Sequence, residues 1–139
     1  MINPPLPNSP ATPFEAIDLA ASLTVRDLAA SLVWYRDVVG FTVDREFARD
    51  GVMRAVSLRA GSVRILLGQD DGSKGLDRVK GEGFSLQFTT RASIDDLATG
   101  IQSRGTVLVS EPADAFGARV FRVRDPDGFL LVFSSERSG

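Results

Sequence analysis

Beyond residue 14 the chain runs through the same succession of hydrophobic rhythms twice. Ile17 to Val25 puts Leu19, Ala21, Leu23 and Val25 at every second position, the spacing of a strand with one buried face. The period then lengthens: Leu28, Leu32, Tyr35 and Val39 recur every three to four residues, predicting a helix that Asp27 caps and Gly40 stops. Three extended segments follow, Phe41–Phe47, Val52–Arg59 and Ser62–Leu67, with Arg49-Asp50-Gly51 and Ala60-Gly61 as the turns between them. Gln69–Gly83 is polar, rich in glycine and without period.

The second half repeats this order. Phe84–Thr90 predicts a strand. Ser93, with Asp96 three residues on, predicts the start of a helix carrying Ile94, Leu97, Ala98 and Ile101 and ending at Gly105. Strands at Thr106–Ser110, Ala118–Arg124 and Phe129–Phe133 complete it, the last two joined by Asp125-Pro126-Asp127-Gly128. The helix stops Gly40 and Gly105 set a repeat of 65 residues, which lays Leu23 on Phe88, Leu58 on Val123 and Leu66 on Leu131. The expected fold is therefore α+β. Tandem βαβββ modules form a curved, cup-shaped mixed sheet, with helices on the outer face and the other face left open.

A length of 139 residues suits one core rather than two. Residues 1–14 are set apart as an arm, since five of the seven prolines fall there. Residues 15–136 form a single domain: module one at 15–68, linker at 69–82, module two at 83–136. A net charge of −2 gives no footing for nucleic acid or an anionic membrane surface. The apolar runs are too short to span a bilayer. Residues 1–13 lack the basic start and apolar stretch of a secretory leader, and the arginine-rich, lysine-poor composition points to a bacterial cytoplasm. The chain contains neither cysteine nor histidine, so thiolate chemistry, disulfides and any Ser-His-Asp arrangement are excluded.

Two stretches carry a family likeness. One is Leu23-Thr24-Val25-Arg26-Asp27-Leu28, with Ser31 and Trp34-Tyr35-Arg36-Asp37-Val38-Val39-Gly40-Phe41 after it. The other is Phe116-Gly117, Arg119 and Phe121-Arg122-Val123-Arg124-Asp125-Pro126-Asp127-Gly128. With the tandem element order, they resemble the vicinal oxygen chelate superfamily of glyoxalases, extradiol dioxygenases and bleomycin-resistance proteins. In its metal-using members, His, Glu or Gln side chains occupy equivalent inward positions on four strands. The resemblance carries those positions to Ala20, Leu67 (within one residue), Ser85 and Val132, none of which ligates a divalent ion strongly. The expected cofactor is none, and no residue is assigned as metal ligand.

Strand alternation turns Ser22, Thr24, Ser85, Gln87 and Thr89 into the cup, beside an apolar wall of Ile65, Leu67, Leu130 and Val132. Such a lining suits an organic ligand; it equally suits small residues that merely permit tight curvature. Arg119 or Arg122 is the candidate grip for a ligand carboxylate or phosphate. Trp34 and Tyr35 read as packing residues, and Asp70-Asp71-Gly72 as a solvated turn rather than a calcium loop. The turn setting of Asp125 and Asp127 speaks against acid–base work. The expected function is metal-free capture of a small organic ligand, as in bleomycin resistance, by a homodimer that covers the open sheet edges. The alternative is a metal-independent isomerase or lyase drawing on Asp44, Glu46 or Glu111, for which no catalytic residue can be assigned. Metal-dependent glyoxalase or dioxygenase chemistry is the reading the residues favour least.

Overall fold

A computed structural model describes residues 12–137, so most of the proline-rich arm, together with residues 138 and 139, lies outside the described residues. Two four-stranded mixed sheets account for the fold. Sheet A has the order β1-β4-β3-β2, from β1 (Ala20–Val25), β2 (Thr42–Arg49), β3 (Val52–Ala60) and β4 (Val63–Gln69). Sheet B has the order β5-β8-β7-β6, from β5 (Ser85–Thr90), β6 (Leu108–Ala115), β7 (Ala118–Arg124) and β8 (Leu130–Ser135). In each, the first strand pairs in parallel with the last, and the other pairings are antiparallel. The expected α+β repeat of βαβββ modules is therefore present, its eight strands divided between two curved sheets.

Helix α1 (Leu28–Val33) starts where Asp27 accepts the Ala30 N–H at 3.1 Å. It runs on into a wider π-helical turn, Trp34–Val39, where the Gly40 N–H bonds to the Tyr35 carbonyl five residues back. Gly40 ends it at φ 111°, a conformation a side chain at Cβ would disfavour. Helix α2 (Ile94–Ser103) opens with Ser93 accepting the Asp96 N–H at 3.2 Å.

The two helical layers meet. Leu23, Val25, Val56, Leu58, Ile65 and Leu67 of sheet A share one buried cluster with Phe121, Val123, Leu131 and Phe133 of sheet B and the apolar stripes of both helices. Full burial of each such side chain contributes about 1.5–3 kcal/mol. A run of rings crosses the seam between modules: Tyr35 lies edge-on to Phe41, Phe41 to Phe88, and Phe88 stacks on Phe133 at 5.2 Å. Trp34 donates its indole N–H to Thr106 at 3.0 Å across the same seam. Trp34 and Tyr35, at the start of the π-helical turn, both pack, as expected.

Two boundaries and the repeat differ most from the sequence reading. β1 begins at Ala20 because Arg64 is the first β4 residue opposite it; Ile17 and Leu19 upstream are exposed. β6 continues to Ala115 through Pro112, because two register shifts let this edge strand tolerate a residue without an N–H. The third difference is the repeat itself. The offset is 65 for β1 against β5 and β3 against β7, but 66 for β4 against β8: Leu67 matches Phe133, and Leu66 matches Val132. The Asp125–Gly128 turn is one residue longer than the β3–β4 turn, and a slip of one residue flips a strand's faces. Ile65 and Leu67 therefore point into the core at 1% and 0% exposure, and Leu66 takes the open face.

The seam is also held by polar contacts. The Tyr35 hydroxyl donates to Asp125 Oδ2 at 2.7 Å, and Asp125 Oδ1 accepts the N–H groups of Asp127 and Phe129. Asp127 accepts the Arg26 N–H at 2.8 Å and the Ser31 hydroxyl at 3.3 Å. Tyr35→Phe removes one donor from a buried carboxylate without changing shape. It is expected to lower stability by about 1–3 kcal/mol in urea unfolding, with the far-ultraviolet circular dichroism unchanged; a loss under 0.5 kcal/mol would remove this bond from the seam.

Candidate functional site

Because both sheets turn their helix-covered faces to one core, the opposite face of each is left open. On sheet B it carries Ser85, Gln87 and Thr89 from β5, Leu130, Val132 and Ser134 from β8, and Arg122 and Arg124 from β7. On sheet A the equivalent positions hold Ala20, Ser22 and Thr24 with Leu66 beside Ser22. Cross-strand register aligns these residues in rows. One row on sheet B reads Gln87, Val132, Arg122, Ser110; its counterpart on sheet A reads Ser22, Leu66, Ser57, Arg45. Ser22, Thr24, Gln87, Thr89 and Arg122 are all exposed, and Ser85 is half-buried.

Strand alternation thus turns five of the seven candidate ligand residues away from the helices, as expected, but not into one cup: Ser22 and Thr24 stand on the open face of sheet A, and Ser85, Gln87 and Thr89 on that of sheet B. Arg122 joins the latter group. Arg119 does not. It shares a face with Phe121 and Val123, and its guanidinium donates to both oxygens of Asp95 on α2 at 2.9 Å and to Asp114 at 3.3 Å. These carboxylates, Asp95 first, hold Arg119 protonated more firmly than usual, and the Arg119 guanidinium holds the Asp95 carboxyl below its ordinary range. Arg54 stands at a register shift between β2 and β3, beside a separate cleft with Phe47, Arg49 and Gln69, and does not join the open face of sheet B.

A cleft of about 720 Å³ adjoins sheet B at its loop end, where Ser85, Leu130 and Arg124 meet the linker segment from Val79 to Phe84. The linker is pinned here. Arg26 donates to the carbonyls of Leu76 and Arg78, and a Cβ at Gly81 would come within 2.5 Å of the Phe129 ring. Asp70 is not a solvated turn residue, as the sequence pattern implies. It forms a 2.7 Å ion pair with Lys80, both side chains about 95% enclosed. The Lys80 ammonium, then the Gly72 N–H, hold the Asp70 carboxyl below its ordinary range. Sequence distance hid this pair, since its members stand ten positions apart in an irregular loop.

The acidic residues are largely occupied. Burial pushes the Asp125 carboxyl up, against the pull of Tyr35 and two backbone donors. Burial, then the adjacent Asp125 charge, pushes the Tyr35 hydroxyl far above its ordinary value. Asp44 accepts from Ser57 and Arg59, and Glu111 from Gln102. At the four positions where metal-using relatives carry ligands, the open faces present Ala20, Leu66, Ser85 and Val132. One hydroxyl among three alkyl groups does not fit a divalent cation. Among the described residues, no group of three or more carboxylate, imidazole or thiolate side chains is placed to hold a metal ion.

The sequence profile of the Glyoxalase/Bleomycin resistance protein/Dioxygenase superfamily matches residues 16–133. The chain belongs to this superfamily. Solved structures of the same fold include a virulence protein from Salmonella typhimurium, 25% identical, with 89% of this chain and 98% of that one aligned at a TM-score of 0.67. A superfamily member from Sphaerobacter thermophilus is 24% identical, with 88% and 98% aligned at 0.72. An antibiotic-binding protein from Streptomyces sp. is 17% identical, with 89% and 98% aligned at 0.71. No curated protein matches the chain. No helix among the described residues is long and apolar enough to cross a membrane.

The metal-site chemistry is directly testable. Protein incubated with zinc, nickel, manganese or iron(II) and then dialysed is expected to retain no stoichiometric ion. One ion per chain that survives dialysis and is lost on Ser85→Ala would overturn the assignment.

Proposed function

We propose that this superfamily member binds a small organic molecule on the open face of sheet B without a metal ion, and that a second copy of the chain completes the cup. One observation carries the reading: a face that presents hydroxyl, amide and alkyl groups runs directly into a 720 Å³ cleft, while the metal-ligand positions are Ala20, Leu66, Ser85 and Val132. A floor of Leu130 and Val132 supplies apolar contact, and Ser85 and Gln87 supply directional hydrogen bonds. The Streptomyces relative, described as antibiotic-binding, lends this reading the general class of small-molecule capture and no particular ligand. The isomerase or lyase alternative draws less support, because Asp44 and Glu111 are already engaged by Arg59, Ser57 and Gln102, and Glu46 lies on edge strand β2 opposite core-facing Val56, off the open face of sheet B.

The dimer rests on the same geometry. The two open faces point away from their shared core, and the cleft at the loop end of sheet B is lined by that sheet, the linker and Arg26, with no residue from the open face of sheet A. Phe47, Val63, Val107 and Val109, on the strands or beside them, are 39–87% exposed, and a partner's sheet would cover such surface. Light scattering at micromolar concentration is expected to give twice the 14.9 kDa chain mass, and a monomer mass would refute the completed cup.

Ligand binding is tested by thermal shift across a panel of small organic molecules, comparing the parent with Ser85→Phe and Gln87→Leu. Both variants are expected to keep the parent melting temperature within a few degrees and to lose the shift. If instead the parent binds nothing and the variants lose roughly 1–3 kcal/mol, the face is close-packed structure rather than a binding surface.

A further inference from the structure

Charge on the open face of sheet B is one-sided. The positions that β5, β7 and β8 turn to this face are Ser85, Gln87, Thr89, Val120, Arg122, Arg124, Leu130, Val132 and Ser134, with no carboxylate among them. In a chain of net charge −2, that is a local excess of two positive charges. Several guanidinium groups on other surfaces face a carboxylate, as Arg26 does Asp127, Arg59 Asp44, and Arg119 Asp95 and Asp114. Arg122 has no hydrogen-bonded or ionic side-chain partner among the described residues, and Arg124 donates only to the Gly128 carbonyl. Two residues apart on one strand, their Cα atoms stand about 7 Å apart on the same face. Opposite Arg122 in the register is Ser110, whose Oγ is enclosed and makes no hydrogen bond. Arg124 also lines the cleft, whose linker wall adds Val79, Phe84 and one carboxylate, Glu82, while the neighbouring Asp127 is spent on Arg26 and Ser31.

We infer that the ligand is an organic anion: its carboxylate, sulfonate or phosphate group sits against Arg122 and Arg124, and its apolar body lies on Leu130, Val132 and the cleft. This rests on the reading that sheet B carries the ligand. Guanidinium forks match such oxyanions bidentately, and Gln87, in the same row as Arg122, has an amide N–H within reach of that row. A neutral or cationic ligand would leave two desolvated guanidinium groups unpaired, which selects against it.

The test uses two fluorescent probes of similar shape, the anionic 1-anilinonaphthalene-8-sulfonate and the neutral N-phenyl-1-naphthylamine, titrated into the full chain. The sulfonate is expected to bind saturably, weakening about tenfold in Arg122→Gln and in Arg124→Gln and further in the double variant. Arg119→Gln, on the other face, should leave it unchanged, and the neutral probe should bind all variants alike. Near-ultraviolet circular dichroism confirms that each variant is folded. Equal sulfonate affinity in parent and double variant, with Gln87→Leu weakening both probes, overturns the anion preference while the binding surface stands. If neither Gln87→Leu nor the arginine changes affect either probe, both the preference and the binding surface fall.

Discussion

The hydroxyl of Tyr35 and the carboxylate of Asp125 meet at 2.7 Å where the helix of the first module reaches the β7–β8 turn of the second. Around this contact the chain has arranged a set of donors, the Asp127 and Phe129 N–H groups on one carboxylate and Arg26 and Ser31 on the next. Buried carboxylates are tolerated only when such donors converge, because desolvation otherwise costs several kcal/mol. The arrangement ties module one to module two at a fixed separation. It therefore sets which faces of the two sheets are covered and which remain open. The Asp-Pro-Asp-Gly turn accordingly works as a joint, and its carboxylates are unavailable for chemistry.

That joint lies on the same side of the sheets as the rest of the packing. The stabilising elements are the shared aromatic and aliphatic core and the polar seam, all on the helix side of the sheets. The open faces contribute few members of this core, and Ala20, Leu66, Ser85 and Val132 stand on them. The division also separates two arginines three residues apart on β7. Arg119 belongs to the helix side, where Asp95 and Asp114 bind it, and Arg122 belongs to the open side, where no carboxylate stands on β5, β7 or β8.

Much of this was legible in the chain. Alternation in Leu23 and Val25, and in Leu86 and Phe88, is enough to turn Ser22, Thr24, Ser85, Gln87 and Thr89 to the other face, because a strand's two-residue period leaves no third direction. Asp27, Gly40 and Ser93 marked helix ends through local hydrogen bonding and backbone conformation, effects that span four or five residues. What alternation alone could not locate was the face of β4. Ile65, Leu66 and Leu67 are all apolar, so the assignment leaned on a constant repeat, and one extra residue in a turn 60 positions away reversed it.

Local order, the duplicated architecture and the missing ligands were thus determined by sequence, since each depends on residue type and short-range spacing. The pairing of Arg119 with Asp95, the burial of Lys80 with Asp70 and the outward aim of both open faces were decided only in three dimensions. Each of these depends on which surfaces two modules bury against each other. A charge pattern along the chain does not say which side of a sheet a helix will cover, and that choice separates an arginine held by carboxylates from one with none beside it.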